Sequence, residues 1–316
     1  MSINLGDEKD PIAFQLGNFA AAQFNVDGVR CESAEGYIQS LKFMNPRKQE
    51  AVCQLVGKLA KFAGKKAGKR IAREKTVSWK TVTAEFRSRQ HQQWIENGIR
   101  AKFDQHFDSQ YDLVLTGTTH LIHDTGRPES AYTSLPNLEF VDIVNQLRRE
   151  LISKSLNVVF ESEHSILSNL SATPFVLDGR VFGSVEGFIQ SLKYPLGPRR
   201  DKIERLAGYL AQRAGKNPNE KIRKSLSAGN QVFLQLASGT KLGFQSAEHL
   251  EAIERAILAK FTQNSEALSK LKATQQRPLT HTLTRPDLQT TWLTPKQFCR
   301  ILFRIRKSEI SSLFDP

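Results

Sequence analysis

Cysteine is scarce in this chain: Cys31, Cys53 and Cys299 are the three among 316 residues. Thiols so few and so far apart exclude a disulfide framework and a cysteine-based zinc site, and they suit a reducing, cytoplasmic setting. Long apolar runs are missing too. No stretch of about 18 apolar residues occurs, so no membrane span is expected. The opening MSINLGDEKD has neither the basic cluster nor the apolar core of a secretory signal. Acidic residues are outnumbered: 32 Asp and Glu face 45 Lys and Arg, giving a net charge of +13 and a pI near 9.7. A balance of that sign favours polyanionic partners, either a phosphorylated nucleotide-like ligand or DNA or RNA. The plain alternative is a basic protein with no such partner. The signatures of common catalysis are absent as well: no glycine-rich phosphate loop, no G-x-S-x-G, no H-E-x-x-H and no Cys–His metal spacing. No metal and no redox cofactor is therefore expected, and what remains is acid–base chemistry by carboxylates and histidines.

What the chain does have is a phrase spoken twice. Residues 33–42 read SAEGYIQSLK and residues 184–193 read SVEGFIQSLK. At an offset of 151 (184 − 33), residues 18–43 match 169–194 at 13 of 26 positions, among them Asn18/Asn169, Asp27/Asp178 and Gly28/Gly179. The offset holds to Gly64/Gly215 and then becomes 158 (249 − 91), so that residues 86–105 match 244–263 at 10 of 20 positions. Later pairs in this register include His123/His281 and Arg127/Arg285. Two colinear copies imply two homologous domains, 1–153 and 154–316.

Both copies carry the same local signals. Asp-Gly inside FNVDGVRC and FVLDGRVF marks a tight β-hairpin. Ser33 and Ser184 stand as N-caps before the shared phrase. One long second helix is expected through KQEAVCQLVGKLAKFAGKK and RDKIERLAGYLAQRAGK, a third through HQQWIENGIRAKFDQ and AEHLEAIERAILAKFTQ, and a last one through FVDIVNQLRREL and FCRILFRIRKSEI. The fold class is mainly α with a short hairpin in each copy.

Within the phrase, Glu35, Gln39 and Lys42 fall at i, i+4 and i+7 on one helix face, and Glu186, Gln190 and Lys193 repeat them. A buried glutamate beside apolar groups has its pKa raised and can act as acid or base near neutral pH. The structural alternative is a glutamate paired with the lysine a turn or two away. His123 with Asp124, and His281, are the next acid–base candidates. His91 and His249 read as packing residues, and Lys102 and Lys260 as helix-end lysines that cap carbonyls, with phosphate contact the sharper alternative. The stretch 58–75 concentrates cations. Lys61, Lys65, Lys66, Lys69, Arg70 and Arg73 form a patch able to meet phosphates, against the alternative of a solvated helix face.

The segments LSNLSATPFVLDGRVFGSVEGFIQSLKY (168–194) and AILAKFTQN (256–264), and in copy 1 GNFAAAQFNVDGVRC, SAEGYIQSLKF and RAKFDQH, together resemble the NADAR family, also called YbiA-like. The resemblance spans nearly the whole chain in two copies. It implies mainly helical domains that hydrolyse N-glycosidic bonds of ADP-ribose-like or ribose-phosphate ligands, in riboflavin-pathway intermediates or in ADP-ribosylated guanine of nucleic acid. It places the essential glutamate at Glu35 and Glu186. Around the ligand it sets Asn18, Gln39, Lys42, Asn169, Gln190 and Lys193; Lys102, Arg127, Lys260, His281 and Arg285 are further ligand-binding candidates read from this sequence itself. Two departures stand out. The family's histidine after the glutamate is Gly36 and Gly187 here, and its W-G-x-G segment is missing from both copies. His123, Asp124 and Arg127 are the groups in copy 1 placed to substitute for that segment.

The expectation is thus a tandem repeat of two YbiA-like helical domains acting as an N-glycosidase on a ribosyl C–N bond. The alternative is a non-enzymatic protein of degenerate NADAR fold that binds nucleic acid or a protein partner through its basic surface.

Overall fold

The computed structural model describes residues 2–126, 128–159, 162, 165–282 and 293–311, with only the backbone of 309–311. It divides into two units, Met1–Ser155 and Leu156–Pro316.

Unit 1 runs β1 (Ser2–Asn4), α1 (Pro11–Leu16), β2 (Phe24–Val26), β3 (Val29–Cys31), α2 (Ala34–Ser40), α3 (Pro46–Cys53), α4 (Gly57–Lys66) and α5 (Gly68–Glu74). It continues through β4 (Thr76–Trp79), β5 (Val82–Glu85), α6 (Arg89–Gln105), α7 (Phe107–Leu115), β6 (His120–Ile122) and α8 (Asn137–Lys154). Unit 2 follows the same order. It has β7 (Leu156–Asn157), a 3₁₀ turn at Ser165–Leu167, β8 (Phe175–Leu177), β9 (Arg180–Phe182), α9 (Val185–Ser191), α10 (Pro198–Glu204), α11 (Gly208–Ala214) and α12 (Lys216–Ser227). Then come β10 (Phe233–Gln235), β11 (Lys241–Gly243), α13 (Ala247–Gln263), α14 (Ser265–Ala273), β12 (Leu279–Thr280) and α15 (Pro295–Ser311). Among the described residues no helix is long and apolar enough to cross a membrane.

Both units are mainly helical, and the Asp-Gly hairpins form as expected. In β2–β3, Phe24 faces Cys31 and Val26 faces Val29, with Asp27 and Gly28 both at positive φ, as a two-residue hairpin turn requires. Phe175 faces Phe182 in β8–β9 around Asp178-Gly179. Three expectations need correction. The long second helix is instead a run of short ones. Gly57 and Gly208 take left-handed φ values of 56° and 58°, which end any continuous helix and start α4 and α11 afresh. Second, each unit holds two further strand pairs. An antiparallel hairpin joins β4 to β5 or β10 to β11, and a parallel pair joins β1 to β6 or β7 to β12. The parallel pairs were hidden because their partners lie more than 110 residues apart and each strand is two or three residues long. Third, α7 and α14 follow the third helix directly as separate elements.

Each unit has its own core. In unit 1, Leu16, Phe24, Ile38, Leu41, Ile99, Phe103 and Phe140 are buried together. In unit 2, Phe175, Phe188, Ile253, Ile257, Phe261, Phe298 and Leu302 are buried. Burial of each such side chain contributes about 1.5–3 kcal/mol. The helix carrying the shared phrase lies inside this packing: α2 touches α3, α4 and α6, and α9 touches α10, α11 and α13.

Candidate functional site

Ser33 begins the site by starting α2. Its Oγ accepts the Gly36 N–H at 2.9 Å and donates to the Leu55 carbonyl at 2.8 Å, so the cap both starts the helix and ties it to the end of α3. Ser184 does the same with Gly187 and Leu206. Gly36 is tight by construction. A Cβ there would lie 2.6 Å from the Leu55 carbonyl oxygen and 3.0 Å from those of Val52 and Cys53; at Gly187 it would lie 2.5 Å from the Leu206 carbonyl oxygen. The residue after the glutamate is therefore glycine because α2 and α9 press on the helix end behind them, and no histidine fits at either place.

Glu35 is drawn inward by this start. Its N–H donates to the Asn18 carbonyl at 2.9 Å, as Glu186 N–H donates to the Asn169 carbonyl at 2.8 Å. The Glu35 side chain is buried, and Gln39 Nε2 donates to its Oε1 at 2.9 Å. Its Oε2 makes no hydrogen bond among the described residues. Burial raises the Glu35 pKa, opposed by the Gln39 hydrogen bond and by the charges of Lys61 and Lys42. Lys42 is itself buried, and burial lowers its pKa against the attraction of Glu35. The helix pairing of glutamate with lysine is thus replaced by a glutamate–glutamine bond, with the lysine acting at longer range.

The floor of the site is α4. Gln39 lies so close to Gly64 that a Cβ there would fall 1.6 Å from Gln39 Oε1. One turn earlier on the same face stands Lys61, whose ammonium lies 5.3 Å from the ring centre of Phe19, the neighbour of Asn18. Phe19 and Gly64 are the members that sequence reasoning missed. Gly64/Gly215 was visible as a matched pair, but Phe19 has Leu170 as its counterpart and carried no signal.

The other candidates fall into distinct places. His123 is half-buried at the end of β6, edge-on to Phe140, with a buried Nδ1 that has no hydrogen-bond partner among the described residues. Burial lowers its pKa, opposed by Asn137, and the Lys61 charge acts in the same direction as burial. Asp124 is exposed, and its carboxylate accepts the N–H of Gly126 in its own turn. His281 differs from its counterpart His123 in that Nδ1 contacts the Val158 carbonyl at 2.6 Å. Arg127 and Arg285 lie outside the described residues.

Lys102 and Lys260 are turned into the fold. Both are fully buried. Lys102 Nζ donates to the carbonyls of Gln15, Leu16 and Gly17, and so caps the C-terminus of α1 rather than of its own helix. Lys260 donates to the Ser168 carbonyl and the Ser171 hydroxyl. His91 and His249 are structural as expected: each Nδ1 accepts the N–H of the residue four before it, Arg87 or Gln245, while Ser88 and Ser246 cap the same helix starts. Each histidine thus receives the N–H of the residue just before the N-cap, while the serine accepts the histidine's own N–H.

The cationic stretch divides in two. Lys61, Lys65, Lys66 and Lys69 are exposed. Arg70 turns inward to the carbonyls of Lys42 and Thr76 and to Glu74, and Arg73 pairs with Glu74. The two arginines are thus engaged within the fold. Among the described residues no cluster of three or more His, Cys, Asp or Glu is placed to hold a metal.

Unit 2 rebuilds the site with different neighbours. Gln190 Nε2 donates to Glu186 Oε1 at 2.6 Å, and Glu186 is half-buried with a pKa raised by burial. Lys193 Nζ donates to Gln190 Oε1 and to Asn219 Oδ1, and burial lowers its pKa to about 7. Asn169 Oδ1 is buried with no partner among the described residues.

Comparison with known proteins follows the repeat. A 17.1 kDa protein encoded in the Gp30–rIII intergenic region of Enterobacteria phage T4 is 30% identical over 146 residues, which is 45% of this chain and 89% of that protein. The solution structure of YbiA from E. coli aligns with 51% of this chain and 89% of its own length, at 19% identity and a TM-score of 0.36. Residues 11–149 and, again, 162–307 match the family model of bacteriophage protein GP30.3. The chain belongs to the bacteriophage protein GP30.3 family and carries its domain twice.

Proposed function

We propose that the protein is an N-glycosidase that hydrolyses the ribosyl C–N bond of an ADP-ribose or ribose-phosphate derivative, with a phrase glutamate as the working carboxylate. The observation that carries the reading is Glu35: a buried carboxyl with one oxygen held by Gln39, the other without a hydrogen bond among the described residues, and two lysine ammoniums acting on it. The NADAR-like motifs assign the same residue the same role.

The chemistry follows from that arrangement. As the bond from C1′ to the base nitrogen breaks, its electron pair leaves with the base and positive charge builds on the ribosyl C1′ and ring oxygen. Ionised Glu35 stabilises that charge and accepts a proton from the water that attacks C1′, and the departing base takes up a proton. Gln39 fixes the carboxylate rotamer, and Lys42 and Lys61 supply cations for phosphate oxygens. Removing a group of this kind lowers the rate about 10²–10⁴-fold. The test is base release, followed by chromatography and mass spectrometry, from ADP-ribosylated guanine in an oligonucleotide, from NAD and from riboflavin-pathway ribosyl phosphates. Release by the wild type and its loss in Glu35→Gln supports the reading.

One observation favours a second reading, a binding protein for nucleic acid. Phe62 is 59% exposed on α4 among exposed Lys58, Lys61, Lys65 and Lys66, which sets an aromatic face beside phosphate-binding cations. Tight, salt-sensitive binding of DNA or RNA that survives Glu35→Gln, with no base released from any of these substrates, would establish it.

A further inference from the structure

The two units hold the same three residues in different states. In unit 2 the lysine is consumed: Lys193 Nζ bonds both Gln190 Oε1 and Asn219 Oδ1. In unit 1, Lys42 makes no side-chain hydrogen bond among the described residues, and Gln39 Oε1 is buried with no partner. The cause lies in α5 and α12. At the 151-residue offset Asn219 corresponds to Gly68 (219 − 151), and a Cβ built on Gly68 meets nothing within 4 Å. Where unit 2 places an amide against its lysine, unit 1 has open space.

The rim of the site differs in the same sense. Lys61 corresponds to Gln212 and Phe19 to Leu170. Unit 1 therefore sets an aromatic ring with an ammonium 5.3 Å above it beside Asn18, where unit 2 has a neutral amide and an aliphatic side chain. Lys61 and Lys42 both act on Glu35, and the Lys61 charge also opposes that of Lys42. Two like charges so disposed repel, and a phosphate or diphosphate between them relieves the repulsion.

We propose that unit 1 alone takes the phosphorylated ligand, with Lys42 and Lys61 holding its phosphates and Phe19 lining the rim, while Asn219 keeps the lysine of unit 2 engaged and that site closed. The proposal rests on the reading of the site as one for an ADP-ribose-like ligand, and it names which copy serves and which residues set the difference.

The experiment is calorimetric titration of the full chain with ADP-ribose. One site per chain is expected. Lys61→Ala, a change at an exposed position, weakens it roughly tenfold or more, as loss of a charge-assisted phosphate contact does. Gln212→Ala leaves it unchanged. The double variant Gln212→Lys/Asn219→Ala, which gives unit 2 the cation of unit 1 and frees Lys193, gains a second site. Two equal sites in the wild type would overturn the proposal while leaving the glycosidase reading in place. So would a single site that survives Lys61→Ala and is lost in Lys193→Ala. No ADP-ribose binding by any variant, with the chains folded by circular dichroism, would overturn the proposal, and only the further absence of base release from every substrate above would overturn the glycosidase reading as well.

Discussion

At the scale of single residues, the two buried histidines tie stability to pH. His91 is fully buried at the start of α6, and burial, helped by the charges of Lys42 and Arg87, lowers its pKa from 6.5 to about 4. His249 is lowered to about 4 as well, by burial and by Lys193. Between pH 6.5 and about 4 the unfolded chain binds the proton that the folded chain refuses. The contribution of each histidine is therefore intact above pH 6.5 and is lost as pH falls towards 4, at most about 3 kcal/mol for each. His91→Gln keeps an acceptor at the third helical position and removes the titration. Its denaturant-derived stability should fall less steeply over this range than the wild type's; equal slopes would refute the assignment. At this scale the sequence was most legible where chemistry is local. Ser33 caps the helix that follows it, and Asp27-Gly28 turns the hairpin that contains it. It was least legible where partners are distant. Nothing near Lys102 shows that its ammonium closes α1, because the acceptors Gln15, Leu16 and Gly17 stand more than 80 residues earlier.

At the scale of elements, the site exists because helices approach at glycines. Gly36 lets α2 rest on the carbonyl end of α3, and Gly64 lets α4 lie under Gln39. The clash at Gly36 is with backbone oxygens, which cannot rotate away. Gly36→Ala should therefore cost about 2–3 kcal/mol in unfolding free energy, whereas Gly68→Ala, in open space and at an ordinary φ, should be neutral or stabilising by up to about 1 kcal/mol. Urea titration of both variants checks this; a Gly36→Ala chain as stable as the wild type would mean that α2 is free to shift. The same helix corner is supported differently in each unit. Gln49 in α3 bonds the Phe43 and Ser78 carbonyls as a neutral amide. Its counterpart Arg200 in α10 is buried and pairs with Glu204 at 2.9 Å. The order of helices could be read from hydrophobic spacing, but the break at Gly57 could not. That position lies within an unbroken apolar pattern, and its left-handed φ is not marked by the residues around it.

At the scale of the molecule, each repeat closes on itself. Unit 1 contains its whole core and both strands of its parallel pair, β1 and β6. A fragment comprising residues 1–155 should therefore fold cooperatively, with a single urea transition followed alike by circular dichroism and tryptophan fluorescence. Non-coincident or absent transitions would show that unit 1 depends on unit 2. The repeat and the carboxylate at its centre were legible because both copies preserve the same phrase. The difference between the copies was not, since it lies in what surrounds Lys42 and Lys193 rather than in the phrase. The most direct measurement for the whole account is the rate of base release by the folded full-length protein on its best substrate, with Glu35→Gln and Glu186→Gln assayed side by side. The account predicts a loss of about 10²–10⁴-fold for Glu35→Gln and near wild-type release for Glu186→Gln. Undiminished release by Glu35→Gln would contradict it.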